Sequence, residues 1–136
     1  MFVADLHNDV LQRAINGEDI SIRTSNGHSD LIRLKESCID LEVFVIWIAG
    51  KNSKKRAYLR ANEFYDKLEE LKKKNNFIKI TKTVKDIQET IKNNILATPI
   101  AIEGGEPLED KIENLHHFIQ RGLFYFGPTW NHSLSW

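Results

Sequence analysis

The run from Ile39 to Ala49 constrains the fold most strongly, because it alternates at first and then becomes apolar without a break. A run of this kind is typical of a strand that is covered on both faces, as in a parallel sheet. Three other segments predict strands beside it: Phe2 to Asp9, Ile95 to Ile102 and Leu123 to Phe126. Parallel strands need long crossover connections, which are usually helices.

The connections between these strands carry helix signals. Residues 53–75 predict one long helix, because apolar side chains recur along it at steps of three and four. That stripe consists of Tyr58, Ala61, Phe64, Tyr65, Leu68 and Leu71. Ser29 or Asp30 can cap a short segment that follows the polar residues 16–29.

Two more helices are predicted further along the chain. Thr83 and Asp86 have the spacing of a capping box, and Pro107 suits the first turn of a helix that Gly122 ends. The apolar face of the second helix is expected to consist of Leu108, Ile112, Leu115 and Ile119. The alternating order of strands and helices predicts an α/β protein with a parallel sheet.

Composition excludes several classes of function. The 136 residues suffice for one domain with a hydrophobic core, and the formal net charge is zero. A neutral chain has no basic surface for nucleic acid, and no stretch approaches the roughly 20 apolar residues of a membrane span. The N-terminus lacks the pattern of a signal peptide, so the chain is expected to be cytoplasmic. The single cysteine, Cys38, allows no internal disulfide and is expected to be buried.

Polar side chains gather where the predicted strands end. Asp5, His7 and Asp9 are spaced two apart, which puts them on one face of the first strand. Glu103 ends the third strand before two glycines, and Trp130, Asn131 and His132 follow the fourth. Imidazole nitrogen and carboxylate oxygen are normal zinc ligands, and barrel enzymes build their sites at this end of the sheet. The same residues could instead cap turns or lie solvated and idle.

Four motifs occur in order along the chain: Asp-Leu-His-Asn-Asp at 5–9, Asp-Leu-Ile-Arg-Leu at 30–34, Ala-Ile-Glu-Gly-Gly at 101–105, and the segment 122–131. Together they resemble the renal (membrane) dipeptidase family of zinc metallopeptidases. The resemblance implies a (β/α)8 TIM-type barrel that holds two zinc ions and hydrolyses dipeptides.

The same resemblance implies roles for individual residues. His7 and Asp9 would bind the first zinc, and Glu103 would bridge both ions and take part in catalysis. Two metals would lower the pKa of a shared water that attacks the peptide carbonyl. Trp130, Asn131 and His132 are expected to contact substrate. Trp130 stands where mammalian-type members have a histidine, for which His132 could substitute.

The chain supplies about four of the eight strands that such a barrel needs. Residues 1–136 are therefore expected to form a single domain, the N-terminal half of a barrel. The histidines that complete the second zinc in the family come from later strands, so at most one zinc would be well liganded here. The expected partner is a chain that supplies the C-terminal half, or a second copy.

Two alternatives stay open. The half-barrel could be a non-catalytic protein that self-associates, with one metal or none. It could also belong to another class of metal-dependent barrel hydrolases, such as amidohydrolases or phosphoesterases. Those enzymes more often begin with His-x-His than with the His-x-Asp of residues 7–9.

Overall fold

The structure is a computed structural model in which residues 1–48 and 56–130 are described. Its strands are β1 (Ala4–Asn8), β2 (Leu41–Trp47), β3 (Ile78–Lys79), β4 (Leu96–Ala97), β5 (Ile100–Glu103) and β6 (Leu123–Gly127). Its α-helices are α1 (Leu11–Ile15), α2 (Leu31–Glu36), α3 (Ala57–Lys74), α4 (Val84–Lys92) and α5 (Ile112–Arg121), and a 3-10 helix spans Glu106–Leu108.

Every strand pairing in the described part of the chain is parallel, as the sequence predicted. Strand β2 pairs with β1 along one edge and with β4 and β5 along the other. The predicted third strand is divided into β4 and β5 at Thr98 and Pro99, because proline has no N–H for the ladder. The Pro99 carbonyl still accepts a hydrogen bond from the Phe44 N–H at 3.0 Å. On the far edge, β3 pairs with β4 and β6 with β5.

The sheet curls into a half-barrel with four strand positions, which we call staves. They are β1, β2, β4 together with β5, and β6. The Tyr125 hydroxyl on β6 donates a hydrogen bond of 2.7 Å to the Leu6 carbonyl on β1, although two staves separate these strands. That contact requires the sheet to bend toward the face that carries Tyr125. We call this the concave face and the opposite one the convex face. The predicted fold class is confirmed.

The convex face holds the larger core. Phe44 and Ile46 of β2 and Ile100 and Ile102 of β5 are fully buried there, packed with side chains of α1, α2, α3 and α5. The predicted stripe of α3 is confirmed: its buried side chains include Ala61, Phe64, Tyr65, Leu68 and Leu71. Burying one such large apolar side chain contributes about 1.5–3 kcal/mol.

The concave face holds a smaller cluster. The intervening residues of the same strands, Leu41, Val43 and Val45, pack there with Ala97, Ala101 and with Ile87 of α4. Helix α4 begins with the predicted capping box, in which Thr83 and Asp86 each accept a hydrogen bond from the other's backbone. It contacts β4 and so covers the amino ends of the strands. Among residues 1–48 and 56–130, no helix covers their carboxyl ends on this face.

Two expectations about buried residues were wrong. Glu109 and Asp110 adopt positive φ of 49° and 59°, which interrupts the helix predicted from Pro107. Helix α5 therefore begins at Ile112, and the face that it buries differs from the predicted one. Phe118 is buried, whereas Ile112 and Ile119 are exposed.

Cys38, which was expected to be buried, is exposed, because it forms a turn with φ of 59° just before β2. The predicted start of the long helix, at 53–55, falls outside the described residues. Within the described residues, no helix is long and apolar enough to cross a membrane.

Candidate metal centre

Three side chains that the sequence singled out converge at the carboxyl ends of two strands. The His7 Nε2 atom lies 3.7 Å from Asp9 Oδ2 and 3.7 Å from Glu103 Oε2. One ligand atom from each residue lies within 4.8 Å of the others. The side chains of His7, Asp9 and Glu103 are 45%, 59% and 29% exposed, so the group faces solvent.

A bulge in β1 aims His7 toward Glu103. Between Asp5 and Asn8 the strand advances three residues while β2 advances two, from Glu42 to Phe44. An extra residue of this kind bends the strand and turns a side chain out of its regular direction. The Asp5 carboxylate accepts a hydrogen bond of 3.0 Å from the His7 N–H, which holds the bulge locally.

The glycine after Glu103 lets the chain leave the sheet at once. Gly104 has φ of 90°, a conformation that residues with a Cβ rarely adopt, and its N–H donates to the Gly127 carbonyl at 2.8 Å. The carboxylate of Glu103 consequently ends β5 with the chain turned away from it. The two consecutive glycines that follow Glu103 in the sequence permit this turn.

Behind the centre, on the convex side, Asn8 makes hydrogen bonds that sequence analysis did not identify. Its amide nitrogen donates to Ser29 Oγ at 3.1 Å and to Glu42 Oε1, and its amide oxygen accepts from the Val10 N–H at 2.9 Å. Glu42 is fully buried, and burial raises the pKa of its carboxyl to about 7, against the opposing effect of the Asn8 hydrogen bond. A lone acidic residue within the apolar run of β2 was the signal for this group.

Tyr125 is a second neighbour that the sequence did not reveal. Burial raises the pKa of its hydroxyl, and the negative charges of Glu103, Asp9 and Asp5 raise it further. The hydroxyl therefore lies within the field of the carboxylates and stays protonated at neutral pH. Its position in the period-two pattern of the last strand was the only signal in the sequence.

Trp130 lies on the same side of the sheet as the triad. Its ring packs edge-on against Trp47 with ring centroids 4.9 Å apart, and Trp47 pairs with Glu103 in the parallel register. The other residues expected to contact substrate, Asn131 and His132, fall outside the described residues. His117 on α5 hydrogen-bonds Asn62 at 2.8 Å instead of joining the centre.

The arrangement combines one imidazole and two carboxylates at an open surface. Three protein ligands with an open fourth position are the pattern of catalytic zinc sites, whereas structural sites are closed by four. Within the described residues the donor set has three members, a number that suits a metal which also binds water or substrate.

The chain matches the family model described as membrane dipeptidase, peptidase family M19, over residues 1–136. No curated protein matches it.

Several solved structures share its fold. A dipeptidase described as a family M19 metallopeptidase matches with a TM-score of 0.85 at 23% identity, over 96% of this chain and 43% of that one. A Rhodobacter sphaeroides metallopeptidase, liganded with a phosphinate mimic of L-Ala-D-Ala, matches with a TM-score of 0.88 at 21% identity, over 98% and 46%. The probable dipeptidase PvdM from Pseudomonas aeruginosa matches with a TM-score of 0.86 at 16% identity, over 100% and 36%. The chain thus spans less than half the length of these proteins.

Proposed function

The chain belongs to the membrane dipeptidase family, peptidase family M19, and from that membership we propose that it supplies the first-metal half of a zinc-dependent dipeptidase. One observation carries the proposal: the ligand atoms of His7, Asp9 and Glu103 lie within 4.8 Å of one another. The proposed substrate class is the dipeptide, in keeping with the family and with the dipeptide mimic bound in the Rhodobacter sphaeroides relative.

The three donors fit a zinc ion. Zinc binds imidazole nitrogen and carboxylate oxygen at about 2.0–2.2 Å, so donors in a tetrahedron around it lie roughly 3.4 Å apart. The 3.7 Å separations from His7 to Asp9 and to Glu103 are close to this value. Glu103 also has a second oxygen, and one carboxylate can hold two metals roughly 3.5–4 Å apart. We propose that Glu103 would also hold a second zinc, whose other ligands would come from later strands.

Each residue then has a defined task. When bound, zinc would polarise the substrate carbonyl and lower the pKa of an attacking water. As one of the three ligands, Glu103 would also orient that water, because its carboxylate can accept a hydrogen bond from it. Trp130 and Trp47 present an aromatic wall beside Glu103 for the side chain of a dipeptide. We propose that Asn131 and His132, which follow Trp130 in the sequence, also contact substrate.

The fourth stave leaves an apolar surface for a partner. A groove of about 280 Å³ runs between the 3-10 helix, α5 and the end of β6. Its apolar lining consists of Leu108, Ile112, Leu115, Phe126 and Pro128. Ile119 and Phe124 are also exposed nearby. We propose that residues 1–136 fold as one unit and that this groove receives the second half of the barrel, because a contiguous apolar patch marks an interaction site.

Zinc titration of the purified chain by calorimetry tests the metal assignment. Binding of one zinc is expected in the wild type and in the controls His116→Ala and Glu113→Ala, whose side chains are exposed on α5. We expect it to be lost in His7→Ala and Glu103→Ala. Co-expression with strands five to eight of a family barrel should give dipeptidase activity that is kept in the two controls and lost in His7→Ala and Glu103→Ala. Unchanged zinc affinity in both site variants would reject the proposal.

A second function is favoured by the apolar groove alone. Two copies of the chain could cover each other's groove and form a non-catalytic dimer, in which metal has no role. Mass measurement in solution at micromolar concentration separates the two proposals. A dimer that binds no zinc supports the structural role, and a monomer that binds one zinc contradicts it.

A further inference from the structure

We propose that Glu42 is a positioning residue for the metal centre and acts on the ligands through Asn8. The inference rests on the proposed function, since it assumes that His7 and Asp9 bind a metal. Glu42 itself lies on the convex face of β2, and its side-chain hydrogen bond goes to Asn8 and not to a ligand. Its influence on the centre must therefore pass through the residue between them.

Asn8 is the link because it lies between the two ligands of β1. Its backbone is shared with His7 on one side and Asp9 on the other. Its amide oxygen accepts from the Val10 N–H at 2.9 Å, which closes a turn over Asp9. The direction in which Asp9 leaves the strand therefore depends on the conformation of the Asn8 side chain.

Glu42 fixes that conformation. The Asn8 amide nitrogen donates to Glu42 Oε1 and to Ser29 Oγ, so both its hydrogens have acceptors. Ser29 is itself held, since Arg13 Nη1 donates to its carbonyl at 2.6 Å and the same guanidinium bonds Glu18 and Thr24. With these partners in place the amide cannot flip, and its oxygen must face Val10.

A purely structural role explains Glu42 poorly. The residue is 0% exposed, and its second oxygen, Oε2, has no hydrogen-bond partner among the described residues. A buried polar atom without a partner destabilises a fold, and an apolar residue of similar size avoids that cost. The carboxyl is better explained by the one hydrogen bond that it does make, to Asn8.

Zinc titration of three variants by calorimetry, with thermal unfolding of the metal-free proteins, tests the proposal. Glu42→Leu removes the acceptor and keeps the volume, so it should weaken zinc binding 10- to 100-fold, as loss of residues that orient metal ligands does. The metal-free protein should unfold at the same temperature or higher. Glu42→Gln keeps an acceptor oxygen and should bind zinc within about threefold of the wild type.

Thr98→Val is the matched control, because Thr98 is also fully buried and its hydroxyl has no hydrogen-bond partner in the described part of the chain, but it lies at the break between β4 and β5. It should leave zinc affinity unchanged. Cobalt substitution adds a spectroscopic readout: the visible absorption of bound Co²⁺ should shift in Glu42→Leu and stay the same in Thr98→Val.

The outcomes separate the two proposals. If the wild type binds no zinc, the proposed function fails and this inference fails with it. If the wild type binds zinc and Glu42→Leu binds it equally well, the positioning role is overturned and the metal site stands. Should Glu42→Leu not fold, Asn8→Ala removes the same link at a less buried position, and unchanged zinc affinity in that variant overturns the role.

Discussion

The two faces of the half-barrel are built from the same strands and differ in almost everything else. Four helices seal the convex face over a core that includes Phe44, Ile46, Ile100 and Ile102. On the concave face α4 is the one helix of the described part of the chain that covers the sheet, at its amino ends, and His7, Asp9 and Glu103 lie at the carboxyl ends. The difference shows how a parallel strand can separate two tasks residue by residue: one set of side chains holds the fold and the alternate set performs chemistry.

Most substitutions should therefore affect one face and spare the other. The exception is the first strand, where Asn8 turns to the convex side between two residues of the metal centre. Four predictions test this division: three measure stability and zinc affinity in the same variant, and one measures how stability depends on pH.

The largest effect is expected from the convex core. Phe64→Ala removes a fully buried ring of α3 and should lower the free energy of unfolding by about 3–5 kcal/mol. Zinc affinity of the folded fraction should not change. Urea denaturation measures the free energy of unfolding, and zinc titration by calorimetry measures the affinity. Leu59→Ala is the control, because Leu59 is exposed on the same helix. A zinc affinity that falls with stability would break the division between the faces.

Glu42 should make the convex face sensitive to pH. Its pKa is raised from 4.5 to about 7 in the folded chain, so the folded state holds this proton more tightly than the unfolded state does. The protonated carboxyl makes its full contribution to the free energy of unfolding below pH 4.5. This contribution is lost as pH rises through 7, which lowers the free energy of unfolding by at most about 3 kcal/mol. Glu42→Gln should remove this part of the pH dependence in denaturation curves. Equal slopes in both proteins would show that Glu42 does not titrate in this range.

The concave counterpart is Glu103→Gln. The amide keeps the shape of the side chain and loses the charge, so zinc affinity should fall by about 100-fold or more, since loss of a residue that merely orients a ligand already costs about 10- to 100-fold. Stability without metal should stay within about 0.5 kcal/mol, since the side chain is partly exposed. Competition with a chelating dye measures the affinity. A large loss of metal-free stability would mean that the concave rim also holds the fold.

The smallest effect is expected from Tyr125→Phe. The variant loses the hydrogen bond from β6 to the Leu6 carbonyl of β1, which should lower the free energy of unfolding by about 1 kcal/mol. Because the bond lies beside His7, we expect zinc affinity to fall by no more than about threefold. Tyr58→Phe on α3 is the control for removal of a hydroxyl on the other face.

The fold was predictable where local pattern decides it. The apolar run of β2, the stripe of α3 and the Thr83 cap each depend on neighbours in sequence, and all three were confirmed. The meeting of His7, Asp9 and Glu103 was predictable because parallel strands end at one edge of a sheet.

The rest depends on tertiary geometry. Two consecutive positive φ angles at Glu109 and Asp110 turned α5 about its axis, and no residue type there requires them. Glu42 and Tyr125 acquire their roles only when the sheet brings Asn8 and Leu6 beside them. A helical or strand period reports which face a residue lies on and does not report which partner it meets there.

The break at Pro99 has a consequence for how the sheet responds to substitution. On the edge of the third stave that faces away from β2, β3 pairs with β4, before the break, and β6 pairs with β5, after it. These two neighbours come from distant parts of the chain, so the strand beside Glu103 and the strand beside the amino end are supplied by separate segments. A substitution in β3 should therefore disturb the pairing of β4 and leave the pairing beside Glu103 in place.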